Sequence, residues 1–434
     1  MQDNKFFTGT GACKHERVPD RLIAVPELLR ALRDRARSLG LAPPAAFLGD
    51  WRDRRAVVVP SVDLRPVAQE AAFAESDHLV VVYRSFPDTV PGAAPPLPAA
   101  VRGEASGWLT LEADGRWSRH GDAPDPEQVV RDHGRGRRHD RAAAGHNNDD
   151  HDGNDGNDNT DREAGRLPDW AAPDRAAHRA AVSDCLEAIR AGEVYQACLS
   201  TRLHGTLRAD PLETFLAITG HAPAARSAYL EGPWGAVLGF SPEEYLVRRG
   251  QVVRSSPIKG TLSADRDPAL LLQSAKDIAE NIMIVDLVRN DLGRVADVGS
   301  VTVTDLLAIR PAPGVHHLVS TVTARTTADN TALVEATFPP ASVTGTPKSR
   351  ARELIAGWVP VSRGLHCGAY GFALGRDLEL AVAIRTLEAT HDGRVELGVG
   401  GGITIDSDPD AEWDECVHKA AFTWGGGPAP WGPG

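Results

Sequence analysis

Pro257-Ile258-Lys259-Gly260-Thr261 places a lysine between a proline and a glycine, just after the strand-like run Glu244-Tyr245-Leu246-Val247-Arg248. Immediately ahead of that run stands Ser241-Pro242-Glu243. A hairpin turning at Arg249-Gly250-Gln251 would bring Glu243 and Lys259 to one end of a sheet, where an acid and an amine could share a site. Lysine is a useful nucleophile when desolvation or nearby cations lower its pKa, and glutamate is a useful general acid when its pKa is raised. The same residues could instead be a surface acid and base flanking a hairpin. The rest of the chain decides between the two.

Composition narrows the classes. The chain has 434 residues, 42% of them hydrophobic, and a formal charge of −12. That length suits two or three domains, or one large unit with a long insertion. The acidic balance, with no basic stretch interleaved with aromatics, argues against nucleic acid as a partner. No apolar run reaches the ~18 residues of a membrane span, and Met1-Gln2-Asp3-Asn4-Lys5 lacks a signal-peptide core, so a cytoplasmic protein is expected. Cys13, Cys185, Cys198, Cys367 and Cys416 are odd in number and never form a C-x-x-C pair, which fits reduced thiols better than disulfides or zinc.

Upstream of the lysine, Pro26 to Gly40 reads as an amphipathic helix with Leu28, Leu29, Leu32 and Leu39 on its apolar side. Strands are expected at Ala45–Leu48, Ala56–Val59, His78–Tyr83 and Trp108–Leu111. From Asp132 to Gly165 the chain is mostly His, Asp, Asn, Gly and Arg, and such a segment cannot bury a core, so 132–165 is expected to be a disordered linker. Order resumes with a helix capped by Asp174 and stopped at Gly192, then the strand-like Val194–Ser200. Its Gln196 interrupts an apolar pattern, either as a core amide or as a site residue.

Downstream, one long helix is predicted from Pro268 to about Asn290, with Leu271, Leu272, Ala275, Ile278, Ile282, Val285 and Val288 on its apolar side. Asp277 and Glu280 sit on neighbouring surface positions of that helix. Gly345-Thr346-Pro347-Lys348 lacks the spacing of a nucleotide P-loop, and its proline removes a backbone donor; the helix start that follows still favours an anion. The run Gly398-Val399-Gly400-Gly401-Gly402 permits close backbone approach, to a ligand or to another strand. Beyond it a helix capped at Ser407-Asp408-Pro409 carries Glu412, Glu415 and Lys419 on one face, either solvated or gathered for a cation. Carboxylates from two helices, Glu280 and Glu415, are the hard ligands Mg²⁺ wants when it also holds a substrate carboxylate.

Taken in order, these motifs resemble the chorismate-utilising enzymes from about Asp174 to Ala421. Tyr195-Gln196, Ser241-Pro242-Glu243 and Pro257–Thr261 come first. The helix from Lys276-Asp277-Ile278-Ala279-Glu280-Asn281 to Arg289-Asn290-Asp291-Leu292-Gly293 follows, then His317-Leu318-Val319-Ser320, Gly345–Lys348, Ala383-Ile384-Arg385-Thr386-Leu387 and the glycine run with its helix. The resemblance implies an α+β fold of two large stacked antiparallel β-sheets with surrounding helices; periodicity alone supports only mixed α and β. It divides the chain into an amino-terminal strand-rich part (1–131), the linker (132–165), a chorismate-binding catalytic region (168–425) and a Gly/Pro-rich tail (426–434).

It also implies roles. Glu280 and Glu415 would hold Mg²⁺, with Asp277 and Glu412 behind them. Arg385 would clamp the enolpyruvyl carboxylate, and Gly401, Gly402, Lys419 and Thr344 would complete the anion pockets, with His317 lining the site. Glu243 would protonate the departing C4 hydroxyl. Gln196, where water-adding relatives carry a lysine base, turns the expectation away from isochorismate and salicylate. Lys259, where anthranilate-forming relatives generally have alanine, points to the aminodeoxychorismate branch, in which the lysine attacks C2 as the C4 hydroxyl leaves, and ammonia then attacks C4 and expels the lysine. No cysteine has a glutaminase setting, so ammonia is expected from a separate glutaminase subunit. Phe372 stands where relatives often carry tyrosine, which would remove a hydroxyl from the site. The alternatives are an anthranilate synthase component I and a catalytically silent chorismate-binding subunit.

Overall fold

The computed structural model describes residues 23–87, 95–143, 167–359 and 361–432. Two antiparallel sheets dominate it. In the first, the order is Gly345–Thr346, Gln196–Thr206, Arg394–Ile403, Thr386–Ala389, Gly235–Ser241, Arg226–Gly232, Ala45–Trp51, Arg54–Val59, Gly107–Leu111 and Trp117–Gly121, with Asp169–Trp170 added beside Gln196–Thr206. In the second it is Ile258–Ser263, Val315–Arg325, Val252–Ser256, Glu244–Arg249, Asp377–Val382, Ala369–Leu374, Leu79–Arg84, Ala100–Ala105 and Arg65–Pro66, with Thr302–Ala312 also on Val315–Arg325. Both halves of the chain supply strands to both sheets.

Side-chain alternation explains how the sheets stack. Along Leu79–Arg84 every residue is buried, but Leu79, Val81 and Tyr83 join the core between the sheets while Val80 and Val82 face helices. Ala45, Phe47 and Trp51 likewise point inward, and Ala46 and Leu48 pack outward. The inward set meets Tyr370 and Phe372 of the opposite sheet, with Phe47 and Phe372 ring centroids 5.0 Å apart. Deleting one such buried aromatic costs about 3–5 kcal/mol. Phe372 therefore belongs to this dry core and not to the site, and the absent hydroxyl expected to matter there faces Phe47 and Trp51 instead.

Helices cover the outer faces. Val25–Leu39, Pro126–Ala143 and Pro211–His221 pack on the first sheet, and Ala275–Gly293 and Asn330–Thr337 on the second. Arg175–Arg190 and Lys348–Trp358 share a smaller core against Gln196–Thr206. Among the described residues no helix is long and apolar enough to cross a membrane.

Several expectations change. The predicted helix from Pro268 to Asn290 is two elements, a 3-10 turn Pro268–Gln273 and the helix Ala275–Gly293, because Ser274 turns extended and its side chain caps Asp277 N–H. The buried face of that helix carries Glu280, Asn281, Ile284, Val285, Val288, Asp291 and Leu292, while Ile282 and Leu272 are exposed. Leu39, placed on the apolar side of the first helix, is also exposed. The helix Pro126–Ala143 runs into the stretch assigned to the linker, whose remainder at 144–165 lies outside the described residues.

Candidate active site

The hairpin forms where the sequence placed it, with Glu244–Arg249 paired to Val252–Ser256 and Gly250 at φ 57°. Val315–Arg325 pairs along one edge first with Val252–Ser256 and then with Ile258–Ser263, and along its other edge with Thr302–Ala312. Glu243 at the entry to one strand and Lys259 within another thus reach the same end of the second sheet. Both line a cavity of about 490 Å³, together with Arg385, Gly401, Gly402, His317, Lys419, Glu280, Glu415, Asp277 and Lys276. Its walls come from both sheets, and the helices Ala275–Gly293 and Pro409–Ala420 supply the carboxylates.

Burial pushes the Glu243 carboxyl up to about 7, against a hydrogen bond from Ser342, the charge of Lys259 and the backbone N–H of Ile258. It is an acid poised to give up a proton near neutrality. Lys259 Nζ lies 3.6 Å from Glu280 Oε2. Burial raises the Glu280 carboxyl; Lys259 and Lys276 oppose that rise, and Asp277 and Glu412 add to it. Burial, with the charges of Arg385 and His316, lowers His317 to about 4, so its ring is neutral at physiological pH, and its Nδ1 shares a 2.9 Å hydrogen bond with Thr261 Oγ1.

The glycine run faces this chemistry on one side and the strand Gln196–Thr206 on the other. A Cβ on Gly401 would stand 3.0 Å from Glu412 Oε2, and one on Gly402 would stand 2.6 Å from Gln196 Nε2 and 3.2 Å from Lys259 Nζ. A methyl at either position would press on the ends of these side chains. Lys419 Nζ donates to Gly400 O at 2.7 Å and pairs with Glu415 Oε1 at 2.6 Å, which holds the ammonium beside the glycines. Glu412 accepts from Ser407 Oγ at 2.6 Å and sits 3.6 Å from Lys276 Nζ.

Two buried polar groups are left open. Gln196 is fully buried with neither amide atom hydrogen-bonded, so it is not the satisfied core amide that one reading allowed. No carboxylate among the described residues pairs with Arg385, whose guanidinium is acted on by burial alone. Lys259, Lys276 and Lys419 each stand beside a carboxylate, so the desolvated Arg385 guanidinium is the group here suited to an anion.

Thr344 does not join the site. Its hydroxyl donates to Pro340 O at 2.8 Å, and the wall at this point is Ser342 and Val343. In the Gly345–Lys348 run the Lys348 side chain is engaged away from the cavity: it pairs with Asp291 and donates to Pro339 O at 2.9 Å. Ser342, Cys198, His366 and Lys276 line the cavity without having been singled out as site residues. The polar Ser342, three residues before Gly345-Thr346-Pro347-Lys348, was the available signal; for Cys198 and His366 there was none before the strands were paired.

For a divalent cation the donor set fits. Among the described residues no group of three or more His, Cys, Asp or Glu side chains is gathered for a metal. Glu280, Asp277 and Glu415 nevertheless line one cavity, and Asp277 and Glu412 add to the rise of the Glu280 carboxyl, a repulsion that a dication relieves. Mg²⁺ commonly takes one or two protein carboxylates and completes its shell with substrate and water.

The family model of chorismate binding enzymes matches residues 109–424, and the chain belongs to that family. Among its relatives, aminodeoxychorismate synthase component 1 of Escherichia coli (strain K12) is 41% identical over 243 residues, 54% of this chain and 53% of that protein. The Klebsiella aerogenes protein of the same name is 43% identical over 241 residues, 53% of each. Anthranilate synthase component 1 of Streptomyces coelicolor is 38% identical over 251 residues, 55% of this chain and 49% of that protein. The chain spans about half the length of the curated relatives it matches. Of solved structures, anthranilate synthase component I from Streptococcus pneumoniae is similar with a TM-score of 0.64 at 24% identity, over 79% of this chain and 80% of that one. The menaquinone-specific isochorismate synthase from Escherichia coli reaches a TM-score of 0.66 at 16% identity, over 94% and 93%. These likenesses establish the two-sheet fold.

Proposed function

We propose that this chain converts chorismate and ammonia to 4-amino-4-deoxychorismate, with Mg²⁺ as cofactor and a separate glutaminase subunit as the source of ammonia. The observation that carries the reading is a lysine and a buried glutamic acid at one cavity that also holds an unpaired guanidinium. The relatives named aminodeoxychorismate synthase component 1 support it, and a component 1 implies a partner.

In this reading Arg385 grips one carboxylate of the substrate through its planar fork, and the Gly401 and Gly402 N–H groups and Lys419 bind beside it. Glu280 and Glu415 would hold Mg²⁺, which when bound neutralises the second carboxylate. Lys259 attacks C2 as the ring double bond shifts and the C4 oxygen leaves, and Glu243 gives its proton so that water departs rather than hydroxide. Ammonia then adds at C4, the double bond returns, and the C2–N bond to Lys259 breaks. Glu243, now a carboxylate, accepts a proton from the ammonium group formed at C4. Two displacements replace one difficult substitution. Gln196, beside Lys259 and without partners of its own, has both a donor and an acceptor for the reacting atoms. An amide is too weak a base to activate water as a lysine would.

Product analysis by mass spectrometry tests this, using the chain with chorismate, Mg²⁺ and ammonium, and EDTA as control. The expected result is a metal-dependent product in which NH₂ replaces OH and no pyruvate is released. Anthranilate with pyruvate would make the chain an anthranilate synthase, and no turnover even with a glutaminase added would leave a silent chorismate-binding subunit.

A further inference from the structure

One lysine of the cavity has no part in the proposed reaction. Lys276 lines the cavity from the helix Ala275–Gly293, one turn ahead of Glu280, and its Nζ stands 3.6 Å from Oε1 of Glu412 on the helix Pro409–Ala420. The first of these helices packs on the second sheet, and the other packs along Arg394–Ile403 of the first. Among the described residues this is the one ion pair that joins the two helices carrying Glu280 and Glu415.

Glu412 is tethered at one of its two oxygens. Its side chain is buried, and both partners act on Oε1: Ser407 Oγ donates to it at 2.6 Å, and Lys276 sits beside it. Ser407 is itself fixed, since its Oγ accepts from Thr404 N–H at 3.1 Å. The other oxygen, Oε2, turns toward the glycine run. A Cβ on Gly401 would stand 3.0 Å from it, and 3.7 Å from both Glu415 Oε1 and Lys419 Nζ. Glu412 Oε2 and Glu415 Oε1 thus approach one another over a single glycine, and the charge of Glu412 reaches Glu280 as well. A third carboxylate therefore stands next to the two that a cation would take.

We infer, on the Mg²⁺ reading proposed above, that Lys276 is a positioning residue that holds Glu412 off the cation, so that Glu280 and Glu415 alone ligate it from the protein. The cause is charge compensation. With Lys276 beside it, Glu412 is a paired and hydrogen-bonded anion; without that ammonium, a buried carboxylate is left uncompensated next to two others, and a dication within reach of its Oε2 relieves it. The number of ligands sets the character of such a site. Two carboxylates leave positions for water and for a substrate carboxylate, whereas a third anionic ligand fills one of those positions and tightens the hold on the ion. Lys276 thus keeps the cation open to substrate.

The test uses the whole chain without chorismate, treated with EDTA and dialysed, and Mn²⁺ as the probe. Electron paramagnetic resonance of free Mn²⁺ gives the affinity, and proton relaxation of the bound ion counts its water ligands. Lys276→Met should bind Mn²⁺ about tenfold more tightly than the native chain, the scale of one charge removed from the neighbourhood of a dication, and with one fewer water on the ion. Adding Glu412→Gln to Lys276→Met should return both values to native, and Lys276→Arg, which keeps the charge, should leave them there. Affinity unchanged or lowered in Lys276→Met would overturn the inference, and so would tighter binding with the water count unchanged, which marks charge repulsion alone. Neither readout needs turnover. A native chain that binds no Mn²⁺ would remove the cation site itself, whereas native binding that ignores Lys276→Met would remove only the role of Lys276.

Discussion

Two arginines inside the same pair of sheets have opposite surroundings. Arg226 lies over the ring of Trp51 and reaches Glu244 at 2.9 Å and Glu379 at 3.1 Å, so its buried charge is compensated twice. Arg385, at φ 49° in the cavity, meets no carboxylate among the described residues. At the aromatic end Trp51 Nε1 donates to Leu48 O and Ser227 O, and Tyr370 Oη donates to Arg226 O at 2.8 Å, while the neutral hydroxyls of Tyr83 and Ser227 stay without a partner. The cavity end leaves Arg385, Gln196 and His366 waiting. An unmet charge is costly to bury, so the contrast separates groups that hold the fold from groups kept for a ligand.

Exchanging the two losses tests that contrast most severely. Arg226→Ala should lower the unfolding free energy by about 3–5 kcal/mol, because it leaves Glu244 and Glu379 buried without their partner. Denaturant titration measures it. Arg385→Ala should leave the denaturation midpoint close to wild type and lower kcat/KM for chorismate by about 100- to 1,000-fold, the loss of a charge-assisted fork. If Arg385→Ala unfolds the chain instead, Arg385 is a structural residue and the contrast fails.

Smaller effects sharpen it. Gly402→Ala should reduce turnover by about tenfold or more while the fold persists, since the new methyl displaces Gln196 or Lys259 from 2.6 and 3.2 Å contacts. For pH, Glu243 is protonated below about 7, so kcat should be level on the acid side and fall as pH rises through that value. His317, lowered to about 4, should add no limb between neutrality and mild acid. Ile282→Ala, at an exposed helix position, should change stability by no more than about 0.5 kcal/mol, whereas Ile284→Ala should cost about 2–5 kcal/mol.

How much of this was legible in the sequence follows from the range of each signal. Glu243 and Lys259 flank a hairpin whose turn and strands are local, and the structure joins them at one cavity. Asp174 caps its helix as read, its side chain accepting from Ala177 N–H. The Pro268 helix was misread because its apolar residues continue across Ser274, and only the cap shows the break. Ile282 was misplaced for a related reason: the buried face of Ala275–Gly293 includes Glu280, Asn281 and Asp291, so polarity no longer marks the solvent side. The two stacked sheets came from resemblance, since strands such as Leu79–Arg84 are buried on both faces and carry no alternation to read. Cys198 and His366 reach the cavity only through long-range pairing, which one sequence does not display.

In the proposed reaction Lys259 bonds covalently to the substrate. Intact-protein and peptide mass spectrometry after incubation with chorismate and Mg²⁺, without ammonia, tests it most directly. The account predicts an adduct of chorismate less one water on the peptide carrying Lys259, which disappears when ammonium is added. Steady turnover with ammonium in the Lys259→Ala variant, and no adduct on the native chain, would contradict it.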